Sequence, residues 1–189
     1  SYKAFNLRDV QTGTYVQSDP VSAKWHVDNI AAGLADLADV LGIKDEQISL
    51  NGRLALASGA RGHGSALSHY EPVERVINIT KFKGGGSLGH EWFHSFDNMI
   101  AEAITGGNVS VYMSQPNAQS KAYKLMDAFK PNAARDDIPD NELAQNVRAK
   151  FINLVNAMMT GDTPETETVV YNPDDVEKAK DFFENKIKF

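Results

Sequence analysis

Apolar residues recur at helical spacing over residues 20–41, in a stretch that follows an aspartate and ends before a glycine. Asp19 predicts an N-cap, Pro20 fits the first helical position, and Gly42 fits the C-terminal stop. The apolar stripe of this predicted helix consists of Ile30, Leu34, Leu37 and Leu41. We interpret the stripe as a face that packs into the core rather than as part of a functional site.

Strand-forming segments lie on both sides of this helix. Residues 4–17 are expected to form one or two short strands around a turn at residues 11–13, and residues 53–59 (RLALASG) a further strand. Residues 65–71 and 75–82 predict a hairpin with Pro72 between its strands. The loop at residues 60–65 (ARGHGS) lacks the Gly-Lys-Ser/Thr ending of a phosphate-binding loop, so we interpret His63 as an exposed loop residue.

The second half of the chain is predicted to be mostly helical. A helix is expected from about Ser87 to Thr105, with glycines 106 and 107 as its stop, followed by a short strand at 108–113. Residues 161–168 (GDTPETET) predict an exposed linker, and a last helix opens near Asn172. Helical stripes are predicted over residues 116–129 (Ala118, Ala122, Leu125 and Phe129) and 141–159 (Leu143, Val147, Leu154 and Met158).

Composition restricts the chemistry that the chain can perform. Its 189 residues are enough for one domain with a core, and they include no cysteine, so any metal must be held by His, Asp or Glu. The lack of cysteine fits a reducing compartment. No apolar run approaches the length of a membrane span, so no membrane partner is expected. The 25 acidic against 19 basic residues argue against a nucleic-acid surface, which needs clustered cations.

A metal-binding motif lies within residues 84–98 (GGGSLGHEWFHSFDN). His90 and His94 are four residues apart, so a helix would bring both imidazoles to one face, with about 5–6 Å between their Cβ atoms. Glu91 is about 100° further round and could reach a water held by the metal. Zinc lowers the pKa of its bound water to about 7, and a carboxylate can take the proton as water attacks a carbonyl. The motif therefore predicts metal-assisted peptide hydrolysis, with His90 and His94 as ligands and Glu91 as the general base.

Its context strengthens this prediction. Ser87 can cap the helix, which would place the motif in the first two turns. A β-hairpin precedes it, as a substrate-binding edge strand would in a zinc peptidase. Trp92 and Phe93 are expected on the opposite side of the helix as core anchors.

Three segments resemble the large polyvalent protein-associated domain of phages and conjugative elements: ALASGARGHGSALSHYEP, RVINITK and GGSLGHEWFHSFDN. The resemblance is good over about residues 30–100, with HEWFHSFDN its most specific part. It implies a zincin-like α+β fold, in which a small sheet containing an antiparallel strand packs on the active-site helix and the C-terminal half is helical. It also implies a module of a mobile-element polyprotein that acts on peptide or protein in the cytoplasm of a bacterial host. A non-catalytic interaction module that keeps the zincin shell is the alternative.

Three further residues are candidates for the site. Asp97, three residues after His94, could be a third ligand, but we favour an acceptor for the other ring nitrogen of His94. The alternative for Asp97 is a solvated carboxylate. His69 and Tyr70 on the hairpin could line a cleft, where Tyr70 could stabilise an oxyanion. A strand with one wet face explains His69 and Tyr70 equally well.

The sequence does not identify a third metal ligand. A catalytic zinc site uses three protein ligands, and the resemblance implies a glutamate in a segment like Glu-x-x-Ala-Arg-x-Phe-Glu, which the chain lacks. Glu142 heads a helix better explained as cap plus core, Glu102 is rotated away, and Glu165 and Glu167 fall in the linker. The chain also ends inside an apolar-periodic pattern (DFFENKIKF). We therefore expect residues 1–160 to form the peptidase domain, residues 161–189 to be its truncated linker and last helix, and zinc to be weakly held or absent, with low activity.

Overall fold

The computed structural model describes residues 2–60, 68–80, 87–114 and 138–160. The helices are α1 (Tyr15–Ser18), α2 (Pro20–Leu41), α3 (Leu88–Ile104) and α4 (Glu142–Thr160), and the strands are β1 (Val10–Thr12), β2 (Ala55–Ser58), β3 (Ser68–Glu71) and β4 (Val76–Ile79). Two 3₁₀ helices cover Tyr2–Phe5 and Asp45–Ser49. Within these residues no helix is both long and apolar enough to cross a membrane.

The chain divides into two compact units, Ser1–Met99 and Ile100–Phe189. The four strands, α1, α2 and α3 up to Met99 belong to the first unit, and the end of α3 and α4 belong to the second. The predicted linker and last helix at residues 161–189, and the predicted helix at residues 116–129, lie outside the described residues.

The first unit is built on a mixed four-stranded sheet with the strand order β1-β2-β4-β3. The strands β1, β2 and β4 are parallel, whereas β3 is antiparallel to β4, which confirms the predicted hairpin. The strands β2 (ALAS) and β4 (VINI) are buried at every position, as expected of inner strands covered on both faces. The α+β class is thus confirmed, and β3 is an outer strand of the described sheet.

Of the one or two strands predicted within residues 4–17, one is present, but β1 covers two of the three residues predicted as the turn. A tight turn at Gly13 ends β1 and leads directly into α1. The Gly13 N–H donates to the Ser58 carbonyl at 2.9 Å, and a Cβ on Gly13 would lie only 2.1 Å from the Gly59 carbonyl oxygen. The Tyr15 hydroxyl then bonds Ser58 Oγ at 2.8 Å. Because of these contacts with β2, the chain turns into α1 after β1 instead of continuing as the strand that its composition predicted.

Helix α2 begins and ends where the sequence predicts. The Asp19 carboxylate accepts the Ser22 N–H at 3.1 Å, Pro20 opens the first turn, and Gly42 closes the helix in the left-handed conformation (φ 66°). Of the predicted stripe, Ile30 and Leu34 are buried, but Leu41 is exposed. The buried face includes Ala23 and Ala38 instead, because small side chains also fit the contact surface of a helix.

In the second unit, the prediction of a strand at residues 108–113 is wrong. The Asn108 side chain accepts the Ser110 N–H at 3.0 Å, which forms a local turn in place of a strand ladder. Helix α4 is confirmed and is capped by Asn141, whose side chain accepts the Ala144 N–H at 2.9 Å. Its predicted apolar stripe is wrong at Leu154, which is 44% exposed. The buried residues described for α4 are Ala144, Phe151 and Ile152.

Candidate metal centre

Helix α3 carries the His-Glu-x-x-His motif near its start, as predicted. The Glu91 N–H donates to the Ser87 carbonyl at 3.0 Å, so Ser87 occupies the capping position. At the other end, Gly106 and Gly107 have positive φ, and the Gly107 N–H donates to the Glu102 carbonyl at 2.8 Å. This pattern is typical of a glycine-terminated helix.

A buried tryptophan fixes the motif-bearing turn within the first unit. The Trp92 indole N–H donates to the Ile48 carbonyl at 2.8 Å, and its ring stacks on Phe96 with 5.5 Å between centroids. The prediction of Trp92 as a core anchor is confirmed, whereas Phe93 is only half-buried. The indole hydrogen bond limits rotation of α3 about its axis, and therefore sets the direction in which the histidines project.

The two histidines converge on one point. His90 Nε2 and His94 Nε2 lie 2.9 Å apart, and the rings are perpendicular, with 4.5 Å between centroids. His90 is exposed and His94 is half-buried. Which ring nitrogen donates depends on the tautomers of the two imidazoles. Both are therefore aimed at the same small volume at the surface of α3.

This geometry fits two of the ligands of a zinc ion. Two nitrogens bound to one tetrahedral zinc at about 2.0–2.1 Å would lie about 3.3 Å apart. The 2.9 Å separation of His90 Nε2 and His94 Nε2 is about 0.4 Å shorter, a difference that small rotations of the rings would remove. In the part of the chain that is described, no group of three His, Asp or Glu side chains could hold a metal ion. Glu165 and Glu167 lie outside that part.

The carboxylate of Glu91 lies on a different face of α3 and is bound to the sheet. The side chain is only 6% exposed, and Ser68 Oγ on β3 donates to Glu91 Oε1 at 2.7 Å. The helical step of about 100° separates Glu91 from His90, which is exposed. One carboxylate oxygen of the predicted base is thus held by a neutral hydroxyl.

Asp97 is 1% exposed, so the alternative of a solvated carboxylate is wrong. Its position three residues after His94 places it on the side of α3 that carries the histidines. Burial of a carboxylate requires compensation by hydrogen bonds or charge. Asp97 does not form with His90 and His94 a group of three that could hold a metal ion, so the role that the sequence favoured for it, an acceptor for His94, stays a prediction.

Tyr70 and His69 lie on opposite faces of β3, because side chains alternate along a strand. The Tyr70 hydroxyl donates to Asn98 Oδ1 on α3 at 3.0 Å. His69 instead contacts Glu71 on the other face, with 3.0 Å between Nε2 and Oε1. Tyr70 therefore faces the motif-bearing helix, whereas His69 faces away from it.

Sequence reasoning missed Ser68 and Asn98. Together with Glu91 and Tyr70 they form two hydrogen bonds between β3 and α3, defined here as the β3–α3 tethers. Glu91 and Asn98 are seven residues apart, so they lie on one helix face, and Ser68 and Tyr70 are two apart, so they lie on one strand face. These two spacings, seven along the helix and two along the strand, were the sequence signal that could have pointed to the tethers.

Comparisons of the chain with models of known protein families, with curated proteins and with solved structures give no match. The family resemblance therefore stays a prediction that rests on the sequence motifs.

Proposed function

We propose that α3 carries the centre of a zinc-dependent peptidase of zincin type. The observation that carries the proposal is the convergence of His90 Nε2 and His94 Nε2, 2.9 Å apart, on the helix that also presents Glu91. Two imidazoles and a carboxylate in this order supply two zinc ligands and the general base of metal-assisted peptide hydrolysis.

Each residue has a separate role in this proposal. His90 and His94 would hold zinc, which when bound polarises a peptide carbonyl and makes water acidic enough to lose a proton near neutral pH. Glu91 takes the proton from the attacking water and passes it to the leaving amine. The outer strand β3, antiparallel to its neighbour and joined to α3 by the tethers, supports the proposal because an extended peptide can align along such a strand.

The family resemblance extends the proposal to a biological setting. It suggests a module of a mobile-element polyprotein that cleaves peptide or protein in the cytoplasm of a bacterial host.

The metal assignment is tested in two steps. Elemental analysis measures the zinc in protein purified without chelator, and the same protein is then titrated with zinc. With only His90 and His94 described as ligands, we expect weak zinc binding, which His94→Ala abolishes because one of the two converging ligands is lost. His26→Ala is the matched control, since His26 contacts the rings of Trp25 and Tyr15 and lies on α2. Zinc that remains bound after His94→Ala would exclude this site.

The role of Glu91 is tested with Glu91→Gln on any peptide that the zinc-loaded parent cleaves. The amide keeps the shape and the acceptor oxygen for Ser68 but cannot take a proton. Because removal of a general base costs about 10²–10⁴-fold, we expect a loss of that size in kcat, with zinc binding unchanged. An unchanged kcat would remove Glu91 from the chemistry.

A non-catalytic interaction module is the second candidate. It is favoured by the burial of Glu91, whose carboxylate already contacts Ser68 as a purely structural side chain would. Zinc-loaded protein that cleaves no peptide in a diverse library would decide for this candidate.

A further inference from the structure

The burial of Glu91 creates a requirement that a surface carboxylate would not have. At 6% exposure its side chain is largely removed from water, although the preceding residue, His90, is exposed. A buried carboxylate is destabilising unless donors replace the lost water. Ser68 Oγ provides such a donor at 2.7 Å, a distance typical of a strong O–H···O bond.

Strand pairing and a second hydrogen bond restrain the donor. Ser68 is the first residue of β3 and pairs with Ile79, a buried residue of β4. Two residues later, the Tyr70 hydroxyl bonds Asn98 on the same face of α3 as Glu91. The strand therefore cannot slide along the helix without breaking a second hydrogen bond, and the position of Ser68 Oγ relative to Glu91 is fixed.

The chemical type of the donor also matters. Lysine or arginine would pair a full positive charge with the carboxylate and compete with a proton for it. The serine hydroxyl is neutral, and its bond engages Oε1 but not Oε2. An orienting contact of this kind fixes the direction of a carboxylate and leaves its second oxygen to act.

We propose that Ser68 is a positioning residue that holds the Glu91 carboxylate through Oε1 and directs Oε2 at the water that Glu91 deprotonates. This inference rests on the proposed function and assigns to the hairpin a part in the reaction that the sequence motif does not contain.

Kinetics of the zinc-loaded protein test the role. Ser68→Ala removes the donor, and we expect kcat to fall about 10–100-fold, as for other residues that orient a reacting group, with KM changed less than about twofold. Ser68→Thr keeps a hydroxyl on a residue suited to strands and should restore kcat. In a Glu91→Gln background, Ser68→Ala should have no further effect, because no base is left to orient.

A control separates positioning from a loss of stability. Ser49 is a buried serine whose hydroxyl bonds the Glu46 carbonyl and the Gly52 N–H, within its own segment of the chain. Ser49→Ala should lower the melting temperature but leave kcat unchanged. Equal losses of kcat in Ser68→Ala and Ser49→Ala, or a loss for Ser68→Ala that Ser68→Thr does not restore, would overturn the proposal.

A second measurement does not depend on activity. The side-chain order parameter of the Glu91 Cγ methylene, measured by NMR, should be high in the wild type and in Ser68→Thr, and low in Ser68→Ala. A Glu91 side chain equally ordered in Ser68→Ala would overturn the proposal. If order depends on Ser68 but the zinc-loaded wild type cleaves no peptide, the positioning contact stands and the peptidase function alone fails.

Discussion

Tyr70→Phe separates the two interpretations of Tyr70, the oxyanion donor that its sequence position suggested and the tether to Asn98. The substitution deletes one hydroxyl and keeps the ring, which lines a small cavity beside Leu54 and Met99. Asn98 Oδ1 loses a donor at 3.0 Å, and the Asn98 side chain is fully buried. Asn98 makes a further interaction besides this hydrogen bond, so the free energy of unfolding should fall by about 0.5–1.5 kcal/mol, as is typical of the loss of one hydrogen bond.

The substitution leaves the ring in place, so the effect is confined to the lost hydrogen bond. We therefore expect a cost near 1 kcal/mol, or about 2–4 °C in melting temperature for a protein of this size.

Urea unfolding followed by tryptophan fluorescence measures this cost. The chain has two tryptophans, of which Trp92 is 6% exposed and Trp25 is 61% exposed, so a Trp25→Phe background assigns the signal to Trp92 in the first unit. The midpoint should fall with the m-value unchanged. In an Asn98→Ala background the same substitution should cost less, because the partner is already absent. An unchanged midpoint together with a large fall in kcat would refute the tether and support the oxyanion role.

Two further predictions concern other parts of the first unit. Gly13→Ala should destabilise by about 1–3 kcal/mol, because the new Cβ would lie 2.1 Å from the Gly59 carbonyl oxygen and the strand end must shift. The control is Gly42→Ala, where φ is 66° and the space is open, and which should cost about 1 kcal/mol in thermal unfolding. A loss of stability in Gly42→Ala that equals or exceeds the loss in Gly13→Ala would contradict the clash at Gly13. Burial, together with the nearby Tyr15 and Asp28, raises the pKa of Tyr2 to about 12, from 10.0. The stabilisation from its neutral phenol is thus present below about pH 10 and lost as the pH rises towards 12, so the wild type should lose stability relative to Tyr2→Phe in that window. An absorbance titration of the folded protein at 295 nm with no tyrosine ionising late would contradict this.

Local signals in the sequence were sufficient for the elements that local contacts determine. The cap at Asp19 and the left-handed stop at Gly42 lie within one turn of the residues that they affect, so the ends of α2 were predictable. The convergence of His90 and His94 was predictable for the same reason, because spacing by four residues is a property of the helix itself. Their ligand role, in contrast, depends on chemistry that spacing alone does not supply.

Contacts between distant segments were not predictable from one sequence. The bond between Ser68 and Glu91 joins residues 23 apart in the chain, and it depends on the register of β3 against β4 and on the rotation of α3. The strand predicted at residues 108–113 failed because the Asn108 side chain offers Ser110 a local hydrogen bond. A pattern of alternating apolar residues does not show whether a backbone N–H pairs with a neighbouring strand or with a nearby side chain.

The two candidate functions differ in what they require of Glu91, and stability and kinetics together distinguish them. A purely structural Glu91 needs only an acceptor for Ser68 Oγ, and glutamine supplies one at the same position, so Glu91→Gln would keep the tether while Glu91→Ala would lose it. A catalytic Glu91 needs in addition a second oxygen that takes a proton, which glutamine lacks. The interaction module therefore predicts that Glu91→Gln behaves as the wild type in every assay and Glu91→Ala does not. The peptidase predicts that the two variants are equally inactive although only Glu91→Ala is less stable. Because the serine contact is the same in both cases, it is the behaviour of the glutamine variant, rather than the presence of the histidine pair, that decides between them.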